Sequence, residues 1–111
     1  MGQSPLDLLQ GTLDTLVLKA LTWGPRHGYA VASWIRETTR DGLNIEEGAL
    51  YTALHRMEQR GWLDAEWGLT DHNRKAKYYQ LTEHGRRELR DARTRWSRYA
   101  EAVFLVLEAR T

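Results

Sequence analysis

At 111 residues the chain is sized for one domain with a modest core. Its 16 basic and 15 acidic side chains nearly cancel, which argues against a polycation that coats nucleic acid or membrane, so any affinity for DNA has to come from local clustering. The absence of cysteine excludes a disulfide framework and thiolate metal sites and fits a cytoplasmic location, and no apolar run approaches the roughly 20 residues of a membrane span. Met1–Gln10 lacks the basic-then-apolar form of a secretory signal. Five tryptophans are more than a small core holds, which places some of them at an interface or a pocket.

Ser4-Pro5 before Leu6 has the form of a helix start, with Ser4 as cap and Asp7 in the first turn. Gly11 interrupts that pattern, and the first full helix is predicted over residues 12–23. Leu13, Leu16, Val17, Ala20 and Leu21 form its wide apolar face, and Trp23-Gly24-Pro25 is its stop. The arm before it carries Leu6, Leu8 and Leu9, too apolar to float free, and is expected to dock, a second subunit being one candidate surface. His27-Gly28 marks a turn, after which Tyr29, Val31, Trp34, Ile35 and Thr38 continue a helical pattern to Asp41-Gly42. A brief link leads to a third helix over Glu46–Gly61. Its Leu50, Ala53, Leu54 and Met57 share one apolar stripe, while Gly48, Thr52, His55 and Gln59 share the opposite one beside Tyr51 and Arg56. Asn44, three residues before Glu47, has the spacing of a capping box. Three helices joined this closely predict a tri-helical helix-turn-helix.

After Gly61 the period changes to two. Leu63, Ala65 and Trp67 share one face of a strand, Trp62, Asp64 and Glu66 the other, and a second β-prone run follows at Lys77–Leu81. The intervening Gly68–Ala76 loop and its edge carry Arg74, Lys75 and Lys77 against the single carboxylate of Asp71, the clustering that net charge conceals. Thr82 then caps a final helix predicted from Glu83 to about Ala109. Along it Leu89, Trp96 and Val103 recur every seven residues, as do Ala92, Tyr99 and Val106, a seam of the coiled-coil type. Val103-Phe104-Leu105-Val106-Leu107 is apolar all round and needs burial on more than one side, so a homodimer is expected. The fold class is therefore mainly α with a small β-hairpin: a winged helix-turn-helix over residues 1–82 and a dimerisation helix over 83–111.

Four collinear blocks carry a resemblance that spans almost the whole chain. They are Gly11-Thr12-Leu13-Asp14, His27-Gly28-Tyr29, Gly48 to Glu58 (GALYTALHRME), and Arg74 to Gly85 (RKAKYYQLTEHG). Together they resemble PadR-family transcriptional regulators of the short type. The resemblance implies a winged helix-turn-helix dimer that binds a palindromic operator in double-stranded DNA and usually represses. It implies that Tyr51 contacts the DNA backbone and that Arg74, Lys75 and Lys77 reach phosphate or the minor groove. Two positions depart from the commonest pattern: Thr52 stands where many members carry proline, and Ala76 where a further basic residue is frequent.

The third helix is nearly neutral, because Glu46, Glu47 and Glu58 outweigh Arg56 and Arg60. Phosphate affinity is accordingly assigned to the wing, Tyr51 and Arg56. Base reading is assigned to Thr52, His55 and Gln59, with Gly48 allowing close approach. The expected dimer residues are Leu9, Leu89, Ala92, Trp96, Tyr99, Val103, Phe104, Val106 and Leu107. Trp96 and Tyr99 are also candidate contacts for a flat aromatic effector, as in some family members, the alternative being that both simply pack the dimer. His27 and His84 fit helix caps better than ligands, His55 and His72 have no partners at metal spacing, and no nucleophile-base pair or phosphate loop is recognisable. No cofactor, metal or catalytic residue is expected. The competing reading is a winged-helix module that binds protein rather than DNA.

Overall fold

The computed structural model describes residues 4–9 and 11–111. Met1–Gln3 and Gln10, part of the segment expected to carry no secretory signal, lie outside the described residues. In chain order the elements are β1 (Leu6–Asp7), α1 (Thr12–Ala20), β2 (Arg26–His27), α2 (Gly28–Thr38), β3 (Leu43–Asn44), α3 (Glu47–Gln59), β4 (Leu63–Leu69), β5 (Lys75–Leu81) and α4 (Glu83–Leu107).

The apolar stripes of α1, α2 and α3 meet in one core. Val17, Leu18, Leu21, Val31, Ile35, Leu50, Leu54 and Met57 are among its fully buried members, and Leu63, Tyr79 and Leu81 close it from the side of the hairpin. β4 and β5 pair antiparallel from Leu63↔Leu81 to Leu69↔Lys75. The arrangement is the winged helix-turn-helix that the sequence predicts. α4 begins at Thr82, whose hydroxyl accepts from the Gly85 amide (3.0 Å) and donates to the Gly61 carbonyl (2.7 Å), tying the helix start to the end of α3. At Gly85 the helix passes so close to β4 that a Cβ there would stand 2.1 Å from the Trp62 carbonyl oxygen. The whole measures 58 × 38 × 22 Å, the long axis reflecting a helix of roughly 37 Å.

Several local expectations are corrected. Ser4-Pro5 starts no helix: the arm is extended, and β1 pairs in parallel with β3, Leu6 opposite Leu43 and Asp7 opposite Asn44. Two strand pairings satisfy backbone groups that a single isolated helical turn would leave open. Asn44 is therefore not a cap. It lies in β3 with its amide donating to the Asp7 carboxylate at 3.2 Å, and the N-cap of α3 is Glu46, with no side chain bonded to the helix end. α1 stops at Ala20 because the chain tightens into i→i+3 bonds, Leu21 to Leu18 and Thr22 to Lys19, ahead of Gly24 and Pro25. The wing has a third strand, β2, paired with β5 through Arg26↔Tyr79 and His27↔Tyr78. Its loop is also shorter than expected, Thr70–Arg74, held by Thr70 and Arg74 backbone bonding (2.8 Å) with Asn73 in the left-handed region. His27 does cap α2, its Nδ1 accepting from the Ala30 amide at 3.1 Å. The cap of α4 is Thr82 rather than His84, which lies edge-on to Trp62, and α4 ends at Leu107 rather than Ala109.

Candidate nucleic-acid interface

α3 turns Leu50, Ala53, Leu54 and Met57 into the core and leaves Gly48, Thr52, His55 and Gln59 exposed on one stripe. Among the described residues nothing needs a glycine at position 48: an added Cβ would meet only the Glu46 carboxylate at 3.8 Å. The first amides of α3 have no acceptor within the helix and no capping side chain, so this end presents open donors beside small side chains.

Tyr51 stands at the edge of that stripe, 43% exposed, with its ring laid over Gly28. A Cβ on Gly28 would come within 2.4, 2.8 and 2.9 Å of the Tyr51 Cε1, Cζ and hydroxyl oxygen. The absence of a side chain at the start of α2 therefore sets where the Tyr51 hydroxyl sits. This contact was not legible in the sequence, although Gly28 and Tyr51 fall in two of the four blocks that carry the family resemblance.

The cations divide into two groups. Arg56 turns back to the Asp14 carboxylate of α1, forming an α1–α3 ion pair with both side chains partly exposed. Lys77 donates to the Glu58 carboxylate at 2.8 Å, linking β5 to α3, and that hydrogen bond raises its pKa above the ordinary lysine value. The same contact neutralises one of the carboxylates that makes α3 unfavourable to phosphate. Burial pushes the Tyr79 phenol up as well. Arg74 and Lys75 are exposed at the wing tip and, among the described residues, join no ion pair. Of the three wing cations, these two are available to an external phosphate.

Between the wing and the start of α2 runs an open groove of about 1170 Å³. Arg26, Tyr29, Tyr51, Trp67, Arg74 and Lys75 are among the residues that line it. Tyr29 and Trp67 are absent from the sequence-based site. The signal for Trp67 lay in the alternation of β4, which continues as Trp67 and Leu69 beyond the part of the hairpin that the core can cover.

The residues assigned to a dimer fall into two zones. Ala92 is buried within the chain, where α4 crosses α1, and Leu89 packs on the same core. Farther along, Trp96 donates from its indole to the Thr12 hydroxyl at 3.3 Å, and Trp96 and Tyr99 border a 370 Å³ hollow with Leu9, Thr12 and Ala92. Val103, Phe104, Val106 and Leu107, with Leu105 between them, are 38–76% exposed. Among the described residues no group of three or more His, Asp or Glu could hold a metal ion, and no helix is long and apolar enough to cross a membrane.

Residues 17–91 match the model of the transcriptional regulator PadR-like family. The chain is similar to a PadR family transcriptional regulator from Eggerthella lenta, with 34% identity, a TM-score of 0.76, and coverage of 90% of this chain and 85% of that one. It is also similar to a PadR family transcription regulator from Clostridium difficile, with 26% identity, a TM-score of 0.75, and coverage of 87% and 99%. A Lysinibacillus sphaericus protein of uncharacterised role is 28% identical over 102 residues, 92% of this chain and 94% of that one. With the matched residues running from the core of α1 through α3 and the wing into α4, the chain belongs to the PadR-like family of transcriptional regulators and is a DNA-binding regulator.

Proposed function

We propose that the protein is a homodimeric repressor that binds a palindromic operator, with one α3 in each of two successive major grooves and the wings on the flanking phosphates. The observation that carries this reading is the juxtaposition of an exposed polar stripe on α3 with two cations at the wing tip, Arg74 and Lys75, that join no ion pair among the described residues. Thr52, His55 and Gln59 read base edges, Gly48 lets the backbone approach, and Tyr51, Arg74 and Lys75 hold phosphate. Lys77 reaches phosphate only in competition with Glu58, and Arg56 only in competition with Asp14.

The dimer is supported by the apolar end of α4. Five consecutive exposed apolar residues are a surface that a soluble monomer does not retain, and a second copy of the same helix supplies matching cover. Two α3 helices related by a two-fold axis place half-sites about one helical turn, roughly 34–36 Å, apart. Control by a flat aromatic effector is supported by Trp96 and Tyr99, which face the 370 Å³ hollow beside the arm. Tryptophan emission titrated with planar cationic and phenolic compounds tests that part, and an unresponsive spectrum contradicts it.

The direct test is an electrophoretic shift with the DNA upstream of the protein's own coding sequence. A retarded band that survives excess scrambled duplex is the expected result. Failure to shift that DNA at any protein concentration contradicts the proposal and favours the protein-binding module. Size-exclusion with light scattering should give twice 12.9 kDa.

A further inference from the structure

The face of the wing that looks across the groove at α2 and α3 is two columns of unlike chemistry. Along β4 it carries Leu63, Ala65, Trp67 and Leu69, and along β5 it carries Leu81, Tyr79, Lys77 and Lys75, each opposite its partner in the hydrogen-bonded register. At the base the face is core: Leu63, Tyr79 and Leu81 are buried and Ala65 is half-buried. Past the body the same face continues into solvent, with Trp67 and Leu69 exposed by 64% and 63%, beside the cationic column and about 5 Å from it.

Trp67 also differs from the other tryptophans. Trp23 and Trp34 stack on each other and under Lys19 and Arg26, Trp62 lies against His84 and Arg60, and the Trp96 indole donates to Thr12. Among the described residues, Trp67 has neither an aromatic or cationic stacking partner nor a hydrogen bond. An exposed, unpartnered indole on a rigid two-stranded arm is a contact surface waiting for an amphipathic occupant. The opposite wall offers Tyr29, 69% exposed, and Tyr51. The charge of the groove is positive, with Arg26, Arg74, Lys75 and Lys77 against Glu37 and Asp71.

We propose that this groove seats one sugar–phosphate strand of the bound duplex, with the Trp67 indole packed on its deoxyribose carbons while Arg74 and Lys75 at the wing tip hold its phosphates. A nucleic-acid backbone alternates apolar sugar and anionic phosphate, and the wing face supplies an apolar column and a cationic column side by side. The contact is independent of base sequence, so it strengthens operator and non-operator DNA alike. The inference rests on the DNA-binding reading, and the experiment separates the two.

Binding of a short random-sequence duplex is followed by fluorescence anisotropy across a salt series for the wild type and for Trp67→Ala, Trp67→Phe, Trp67→Lys and Lys75→Ala. Trp67→Ala should weaken binding about tenfold at every salt concentration with an unchanged salt slope. Lys75→Ala should make the slope shallower by about 0.9 for each subunit in contact with the duplex. Trp67→Phe, which keeps a flat ring, should stay within about threefold of wild type. Trp67→Lys adds a cation at the same point and should still bind more weakly than wild type, most clearly at high salt, where a purely electrostatic wing would bind it more tightly. Circular dichroism reports folding, and if Trp67→Ala fails to fold, the Lys and Phe variants decide. Wild-type binding matched or exceeded by Trp67→Ala or Trp67→Lys overturns this inference alone. Absence of wild-type binding to the duplex overturns it together with the DNA-binding reading.

Discussion

Replacing Gly28 by alanine should weaken DNA binding while leaving the fold nearly intact. The new Cβ would stand 2.4–2.9 Å from two ring carbons and the hydroxyl oxygen of Tyr51, against a comfortable separation of about 3.5–4.0 Å, so the ring has to withdraw by about 1 Å or more. The atoms it meets are the far end of a half-exposed side chain, which can rotate outward without disturbing the core. Alanine also improves on glycine within a helix by up to about 1 kcal/mol, offsetting part of the cost. Net stability should therefore stay within about 1 kcal/mol of wild type, a shift of only a few degrees in Tm. If the Tyr51 hydroxyl donates to a phosphate, a hydrogen bond to a charged group worth about 1.5–3 kcal/mol is put out of reach, and affinity falls by about one to two orders of magnitude. Anisotropy on promoter DNA and urea unfolding measure the two quantities separately. The decisive variant is Gly28→Ala combined with Tyr51→Phe: once the hydroxyl is gone, moving the ring should cost little further binding. Full additivity of the two substitutions, or wild-type affinity in Gly28→Ala alongside a loss in Tyr51→Phe, would refute the reasoning.

Gly85→Ala should behave in the opposite manner. Its Cβ meets the Trp62 backbone oxygen at 2.1 Å, and backbone cannot rotate away, so α4 must separate from β4 at a cost of about 1–3 kcal/mol or more, read by urea unfolding. Arg56→Gln should lower stability by no more than about 1 kcal/mol, because its partner pair with Asp14 is partly exposed. It should leave the salt slope of DNA binding unchanged, and a slope reduced by about 0.9 for each bound subunit would show that Arg56 leaves Asp14 for phosphate. Lys77 and Tyr79 both bind their protons more tightly in the folded chain, Lys77 through Glu58 and Tyr79 through burial. Their contribution is present in full below the ordinary values, 10.5 for Lys77 and 10.0 for Tyr79, and is lost as pH rises through the raised folded values. Tm should therefore decline above about pH 10, less steeply in Tyr79→Phe, and a flat profile to about pH 11 would contradict the assignment.

The elements that bury a regular stripe were legible in the sequence, because periodicity reports burial directly: α3 with Leu50, Ala53, Leu54 and Met57, and the base of β4 with Leu63 and Ala65. Pairings between distant segments were not. Nothing local in Ser4-Pro5-Leu6-Asp7 announces a strand whose partner lies at Leu43–Asn44, and Arg26–His27 reads as a turn until β5 is beside it. The same limit applies to the candidate site. The face of α3 could be drawn from spacing alone, whereas the Arg56–Asp14 and Lys77–Glu58 pairs join residues 42 and 19 positions apart, and they decide which cations remain available. The alternation puts Trp67 on one face with Leu63 and Ala65 without saying how far the core reaches along it, and only the extent of the wing beyond the core shows Trp67 to be exposed.

The central claim is a division of labour, with discrimination on α3 and affinity on the wing. It is tested by measuring affinity for operator and random duplex across a salt series in two variants, one with Arg74 and Lys75 both replaced by alanine, the other with Thr52, His55 and Gln59 replaced. The wing variant should lose about 1.8 from the salt slope of each phosphate-contacting subunit while keeping the ratio of operator to random affinity. The α3 variant should keep the slope and lose the ratio. A wing variant that loses the ratio, or an α3 variant that loses the slope and keeps the ratio, would contradict the account.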